Sequence, residues 1–129
     1  MNKYFILVLK VIAAFIMLQT LFFKFTGAQE SIDLFTEVAG KDEAFMRIGT
    51  GVLELIASIL IFIPKTTWIG ALLAVGIMFG AILSHITILG VEFNNDGGAL
   101  FYSAITTFIA SGIILFFDRR NIPIIGKNF

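Results

Sequence analysis

The sequence predicts an all-α fold, an integral membrane four-helix bundle with a short outward-facing amphipathic helix between the first two spans. Three observations carry this expectation. Of 129 residues, 58% are hydrophobic and the mean hydropathy is +0.98, more apolar than soluble domains usually are. Four apolar runs each approach the ~20 residues that a helix needs to cross a hydrocarbon core of ~30 Å. One sizeable polar connection and two short turns separate them. The chain reads as one domain over residues 1–129, with spans at about 4–25, 44–63, 67–90 and 99–117.

Lys3 to Phe25 forms the first span. Its apolar stretch exceeds the ~7–15 residues of a signal-peptide core and contains Lys10 and Gln19, so it reads as a retained helix. Lys10 can snorkel to the near interface; Gln19 lies too deep to do so and is expected to bond a neighbouring helix. The polar connection from Thr26 to Phe45 is not featureless. Ser31 can cap a short helix in which Ile32, Leu34, Phe35 and Val38 interleave with Asp33 and Glu37, and Gly40 can end it. This segment reads as an interfacial helix or a lid over the bundle, with an ordered surface loop as the alternative.

Asp42 is placed to cap the second span, which Pro64 ends, and Thr67 to cap the third. Gly76, Gly80 and Ser84 recur every fourth residue along the third span as a stripe for close helix packing, within the chain or across a homodimer seam. Asn94-Asn95-Asp96-Gly97-Gly98 is a turn, combining residues that tolerate positive φ. The fourth span, Leu100 to Phe117, carries Ser103, Thr107 and Ser111 as a second small polar stripe, and Asp118-Arg119-Arg120 closes it at the water boundary. Lys3, Lys65, Arg119, Arg120 and Lys127 fall on one side of the bundle. By the positive-inside rule both termini are predicted cytoplasmic, in a multi-pass plasma (inner) membrane protein.

Composition narrows the chemistry. Nine basic and nine acidic residues cancel, leaving no polyanion-binding surface, so nucleic acid is not an expected partner. The absence of cysteine removes disulfide exchange, iron–sulfur ligation and thiolate catalysis. A single histidine is too few for bis-histidine haem ligation and a thin basis for a metal site. No metal site and no catalytic residue is therefore predicted.

Arg47-Ile48-Gly49-Thr50-Gly51-Val52-Leu53-Glu54 is the unusual stretch, because Glu54 is the only ionisable residue from Ile48 to Ile63. A lone charge in hydrocarbon costs at least a few kcal/mol unless it is paired or hydrated. Arg47, seven residues earlier on the same helical face and roughly 10 Å along the axis, is the expected partner, directly or through a water. Counting depth from the outer boundary puts Gln19, Glu54, His85 and Thr106 or Thr107 at about 8–13 Å, one polar residue from each helix. Lys24, Arg47, Glu92 and Asn94 would form a charged mouth above them. This layer either faces a cavity, where Glu54 and His85 relay a proton or hold a polar headgroup, or ties the four helices together.

These same residues resemble the DoxX-like family of small four-helix membrane proteins. The resemblance runs through Lys24-Phe25-Thr26-Gly27 and the Arg47–Glu54 stretch, then Ile63-Pro64-Lys65, Trp68-Ile69-Gly70-Ala71 and Ala81-Ile82-Leu83-Ser84-His85. It is carried by the ordered set, each piece being weak alone. It implies a four-helix bundle. Members are associated with archaeal thiosulfate–quinone oxidoreductase chemistry and bacterial redox-associated membrane subunits, and a divergent animal branch, NACHO, is a chaperone for nicotinic acetylcholine receptors. No shared catalytic motif transfers to this chain.

Two functional expectations follow. The first is a non-enzymatic membrane protein that binds or helps assemble a membrane protein partner through its helix faces and the segment 26–45. The second is a quinone-binding or lipid-binding subunit of a membrane redox complex, with Glu54 and His85 in an outward-facing cavity. The second requires a cavity lined by those two residues, and the first requires them bonded and closed over.

Overall fold

The computed structural model describes residues 3–93 and 97–123. It is helical, with no strand among the described residues: α1 (Lys3–Gln19), α2 (Leu21–Thr26), α3 (Gln29–Ala39), α4 (Glu43–Phe62), α5 (Thr67–Ser84) and α6 (Ala99–Phe117). A π-helical turn, His85–Leu89, continues α5. Four stretches are long and apolar enough to cross a membrane: Lys3–Thr26, Gln29–Phe62, Thr67–Leu89 and Ala99–Phe117. Their outer faces carry exposed Phe15, Phe22, Phe79 and Phe116, as expected of helices whose surroundings are lipid. The fold is the all-α membrane bundle expected, and α3 is its short amphipathic helix. Asn94, Asn95 and Asp96 of the expected turn, and Lys127 near the chain end, lie outside the described residues.

Local structure departs from expectation at four points. The first span is broken at Thr20, whose hydroxyl donates to the Met17 carbonyl at 3.1 Å and accepts from Lys24 Nζ at 2.7 Å. Such side-chain bonds compete with the helical ladder and bend it. The amphipathic helix begins at Gln29, two residues before Ser31, and its N-cap Ala28 supplies no side-chain bond. Asp42 stands at the N-cap of α4 but also makes no side-chain capping bond. Thr67 does not cap the start of α5. Its hydroxyl turns back to the Ile61 and Ile63 carbonyls at 3.1 and 3.0 Å, while Thr66 donates to Leu60 O at 2.9 Å. Pro64 stops α4 and leaves these carbonyls without helical donors, so the two threonines close the end of α4.

Two buried clusters run along the bundle, one beside this turn and one reaching the cavity. Ile61, Ala71 and Ile114 form one buried cluster, and Met17, Ala57, Ala74, Met78 and Ala104 form another. Small residues let the backbones approach, and Gly70 shows how closely. A Cβ on Gly70 would stand 2.6 Å from the Ile61 nitrogen and 2.8 Å from the Ala57 oxygen. Gly51 performs the same service for a side chain: its missing Cβ is replaced by the edge of the Phe25 ring, 2.7 Å from where that Cβ would be.

Gly76 and Gly80 differ. A Cβ on either meets nothing within 4 Å, and both are exposed, so at these two positions of the α5 stripe no other helix closes in among the described residues. On α6, Thr107 and Ser111 are fully buried while Ser103 is half-buried. The contrast is testable. Gly70→Ala should destabilise the detergent-solubilised protein by about 1–3 kcal/mol, the cost of overpacking a closed contact, whereas Gly76→Ala should leave thermal unfolding unchanged or slightly later.

Candidate functional site

Between the ends of the helices opposite the Pro64 turn lies a cavity of about 810 Å³. α3 crosses it, presenting Leu34, Phe35 and Val38 to the interior, with Glu30 and Ser31 lining it from the start of the helix. Gly27 and Gly40, with φ of +71° and +59°, bracket α3 in left-handed backbone that side-chain-bearing residues avoid. The walls are Leu53 and Glu54 from α4, Gly76, Gly80 and Ser84 from α5, and Ser103 and Ala104 from α6. Gln19, Lys24 and His85 also line it. Ligand cavities are commonly apolar chambers with a few convergent polar groups, and this one has that composition.

Glu54 is 3% exposed, and its partner is Lys24: Nζ lies 2.6 Å from Oε1. Arg47 is not the partner. It binds Glu43 through Nε at 3.0 Å and the backbone carbonyl of Lys24 through Nη1 at 2.5 Å. The expected Arg47–Glu54 link is therefore routed through one residue of another helix, with Arg47 holding the backbone of Lys24 and Glu54 its ammonium. Seven residues along α4 are too many for direct contact, and Lys24 fills the interval. That carbonyl is one of those left open at the C-terminal end of α2, where cations are favoured.

The Lys24–Glu54 contact is a buried ion pair between two helices. Lys24 also donates to Thr20. A buried charge is thus neutralised by a cation that a second acceptor, Thr20, also holds.

His85 is 3% exposed and stands at the start of the π-helical turn. Its carbonyl accepts from the Gly90 nitrogen at 2.6 Å, and its ring Nδ1 bonds the Gly90 carbonyl at 2.9 Å. A carbonyl only accepts, so Nδ1 carries a proton, which leaves Nε2 as the nitrogen that accepts whenever the ring is neutral. The Phe101 ring packs edge-on, with centroids 5.5 Å apart. π-Turns are rare and concentrate at functional positions; here the turn ties the only histidine to backbone through one nitrogen and leaves the other without a protein partner among the described residues.

The remaining predicted residues fall on both sides of the division. Gln19 lines the cavity, exposed, and makes no hydrogen bond to a neighbouring helix among the described residues. Thr107 lies deeper, fully buried, with its hydroxyl unbonded, and is not part of the lining. Ser111 is likewise buried and unbonded. Thr106, the alternative to Thr107, is exposed and bonds its own helix at Tyr102 O, 2.9 Å. Glu92 is exposed. No group of three or more metal-ligating side chains occurs among the described residues.

The DoxX family model matches residues 5–87, from the first span to just past His85. The chain belongs to the DoxX family. The matched region of this DoxX protein includes Lys24, Arg47, Glu54 and His85 and ends before α6. The match is to the family as a whole and does not reach the receptor-chaperone branch. No curated protein and no solved structure gives a match.

The ion pair makes a sharp prediction. Lys24→Met should destabilise the bundle by about 3–5 kcal/mol, because it strands Glu54 in a buried position. Adding Glu54→Gln to Lys24→Met should recover a large part of that loss. A double variant no more stable than Lys24→Met, measured by thermal unfolding in detergent, would contradict the pairing.

Proposed function

We propose that this small DoxX-family membrane protein binds an amphipathic, lipid-soluble ligand of the quinone class in the cavity beneath α3, and serves a membrane redox complex without catalysis of its own. The single observation that carries this reading is that one chamber of about 810 Å³ is lined by both Glu54 and His85 together with Lys24 and Gln19. The chemistry fits a quinone–quinol pair. Lys24 and Gln19 can donate to a quinone carbonyl, and Nε2 of His85 can accept from a quinol hydroxyl. Without cysteine or a metal-ligating cluster among the described residues, the electrons would pass to or from a partner. The ligand's redox chemistry is its own; the protein positions its head and keeps water away.

In this reading the protein sits in the plasma (inner) membrane with both termini cytoplasmic. Lys3, Lys65, Arg119 and Arg120 lie at the closed end of the bundle, and α3 and the cavity face the other side.

A second reading, binding or assembly of a membrane protein partner, is favoured by the Lys24–Glu54 pair. Glu54 is already neutralised within the chain, as a structural polar layer requires. The cavity weighs more, because a layer that only ties helices together has no use for a chamber of this size beside it.

Purification from native membranes in mild detergent, with mass spectrometry of bound small molecules and proteins, separates the two. We expect a stoichiometric quinone in the wild-type protein, lost in a folded His85→Ala variant. A stoichiometric protein partner with no quinone, unaffected by His85→Ala, would replace this proposal with the assembly reading.

A further inference from the structure

A second pocket, of about 350 Å³, lies at the other end of the bundle from the α3 cavity, between α1, the start of α5 and the end of α6. Its walls are apolar at Ile6, Ile114 and Phe117 and charged at Lys10 and Asp118. Thr67, the remaining wall, has spent its hydroxyl on the Ile61 and Ile63 carbonyls. The two charged groups reach the pocket from different helices. Lys10 stands seven residues, roughly 10 Å, inside Lys3, and its side chain leans back toward the start of α1, where Ile6 lines the same pocket. Asp118 follows the last residue of α6.

Neither charge is answered within the chain. Asp118 Oδ1 accepts from Asn121 Nδ2 at 2.6 Å, whereas Oδ2 is buried with no hydrogen-bond donor. The position is unfavourable for an anion, because the carbonyls that end α6 already concentrate negative charge there. The adjacent cation does not correct it. Arg119 donates to the Phe116 carbonyl at 2.7 Å and lays its guanidinium over the Phe116 ring, 4.1 Å from the centroid. Lys10 makes no hydrogen bond among the described residues and, like Asp118, stands outside the ion pairs found there. Two opposite charges thus share one pocket without closing on each other, and each lacks the partner that partial burial demands.

Charge complementarity selects the occupant. A simple anion would meet Lys10 and be repelled by Asp118, a simple cation would meet the converse, and an apolar group would answer neither. We infer that the pocket holds a zwitterionic phospholipid headgroup with a primary amine, its phosphate on Lys10 and its ammonium on the Asp118 carboxylate. The surroundings fit a lipid. Asp118, Arg119 and Arg120 mark the membrane boundary at this end, and Phe117 in the wall and Phe5 next to Ile6 are 41% and 45% exposed, a surface for acyl chains. A primary ammonium brings three N–H donors to a carboxylate; a trimethylated head brings none. The site is separate from the α3 cavity and does not rest on the ligand proposed there.

The test is native mass spectrometry of the full chain with phosphatidylethanolamine, phosphatidylcholine and phosphatidylglycerol of identical acyl chains, and with soluble glycerophosphoethanolamine as competitor. The wild type should bind phosphatidylethanolamine about tenfold or more tighter than phosphatidylcholine, the worth of one charge-assisted hydrogen bond. Asp118→Asn should abolish that preference and strengthen phosphatidylglycerol binding, since it removes the repulsion. Lys10→Met should weaken phosphatidylethanolamine and phosphatidylglycerol alike. His85→Ala, at the far end of the bundle, should change none of this. Displacement by glycerophosphoethanolamine at the lipid's own affinity upholds the zwitterion site and assigns it to a soluble headgroup. Equal binding of the three lipids, a wild-type preference for phosphatidylglycerol, or a phosphatidylethanolamine preference that survives Asp118→Asn overturns the site. So does strong non-additivity of Lys10→Met and Asp118→Asn in thermal unfolding without any lipid preference, which makes the two residues a direct ion pair.

Discussion

A carboxylate inside a membrane span has to be answered by a cation, and in this protein the answer comes from another helix. Glu54 takes the ammonium of Lys24, and Arg47, two turns away on the same helix, takes the carbonyl of the same lysine. One residue of α2 is thereby gripped at backbone and side chain by α4. Several features depend on this grip. Thr20 breaks the first span and supplies a second acceptor for Lys24, and Gly27 turns the chain immediately afterwards with φ of +71°. α3 can then fold back across the bundle instead of continuing outward. The energetic logic is that of any buried pair: each charge makes the other tolerable, and neither is tolerable alone.

The grip also divides the bundle into a closed half and an open one. Near the Pro64 turn, Gly70, Ala57, Ala71 and Ala74 bring α4 and α5 together until backbone atoms touch. Toward α3 the helices part, and glycines in the same helix, Gly76 and Gly80, line space instead of a neighbour. The glycines of α5 thus meet backbone at one end of the bundle and line the cavity at the other. α3 then covers the cavity with its apolar face.

Much of this was legible in the sequence, and what was not has a physical reason. The four spans, the amphipathic α3 ended by Gly40, the α4 stop at Pro64 and the family were readable because periodicity, length and helix-stopping residues are local signals. Gln19, Lys24, Glu54 and His85 were readable as site candidates, since polar residues in apolar runs stand out, and they do share one cavity. The partner of Glu54 was not. Reasoning along one helix selects Arg47 by spacing, whereas Lys24 becomes available only when α2 packs on α4. Thr107 shows the same limit: depth alone placed it in the polar layer, but its direction places it below the cavity, buried and unbonded. Gly76 and Gly80 carry the pattern of a packing stripe and Gly70 carries none, yet Gly70 makes the contact, because a motif marks room for approach without saying what approaches. The sequence pattern points Thr67 forward as an N-cap, whereas the unmet need lies behind it, in the carbonyls that Pro64 leaves open.

The most direct test of the account is the protonation state of Glu54 in the folded protein, read as the infrared difference between the wild type and Glu54→Gln in lipid at neutral pH. If Lys24 neutralises Glu54 as an ion pair, the difference shows carboxylate stretching bands, and a protonated carbonyl band appears only in the Lys24→Met background. A protonated carbonyl band already present in the wild type would contradict the ion pair and, with it, the grip on which the arrangement of α2, α3 and the cavity depends.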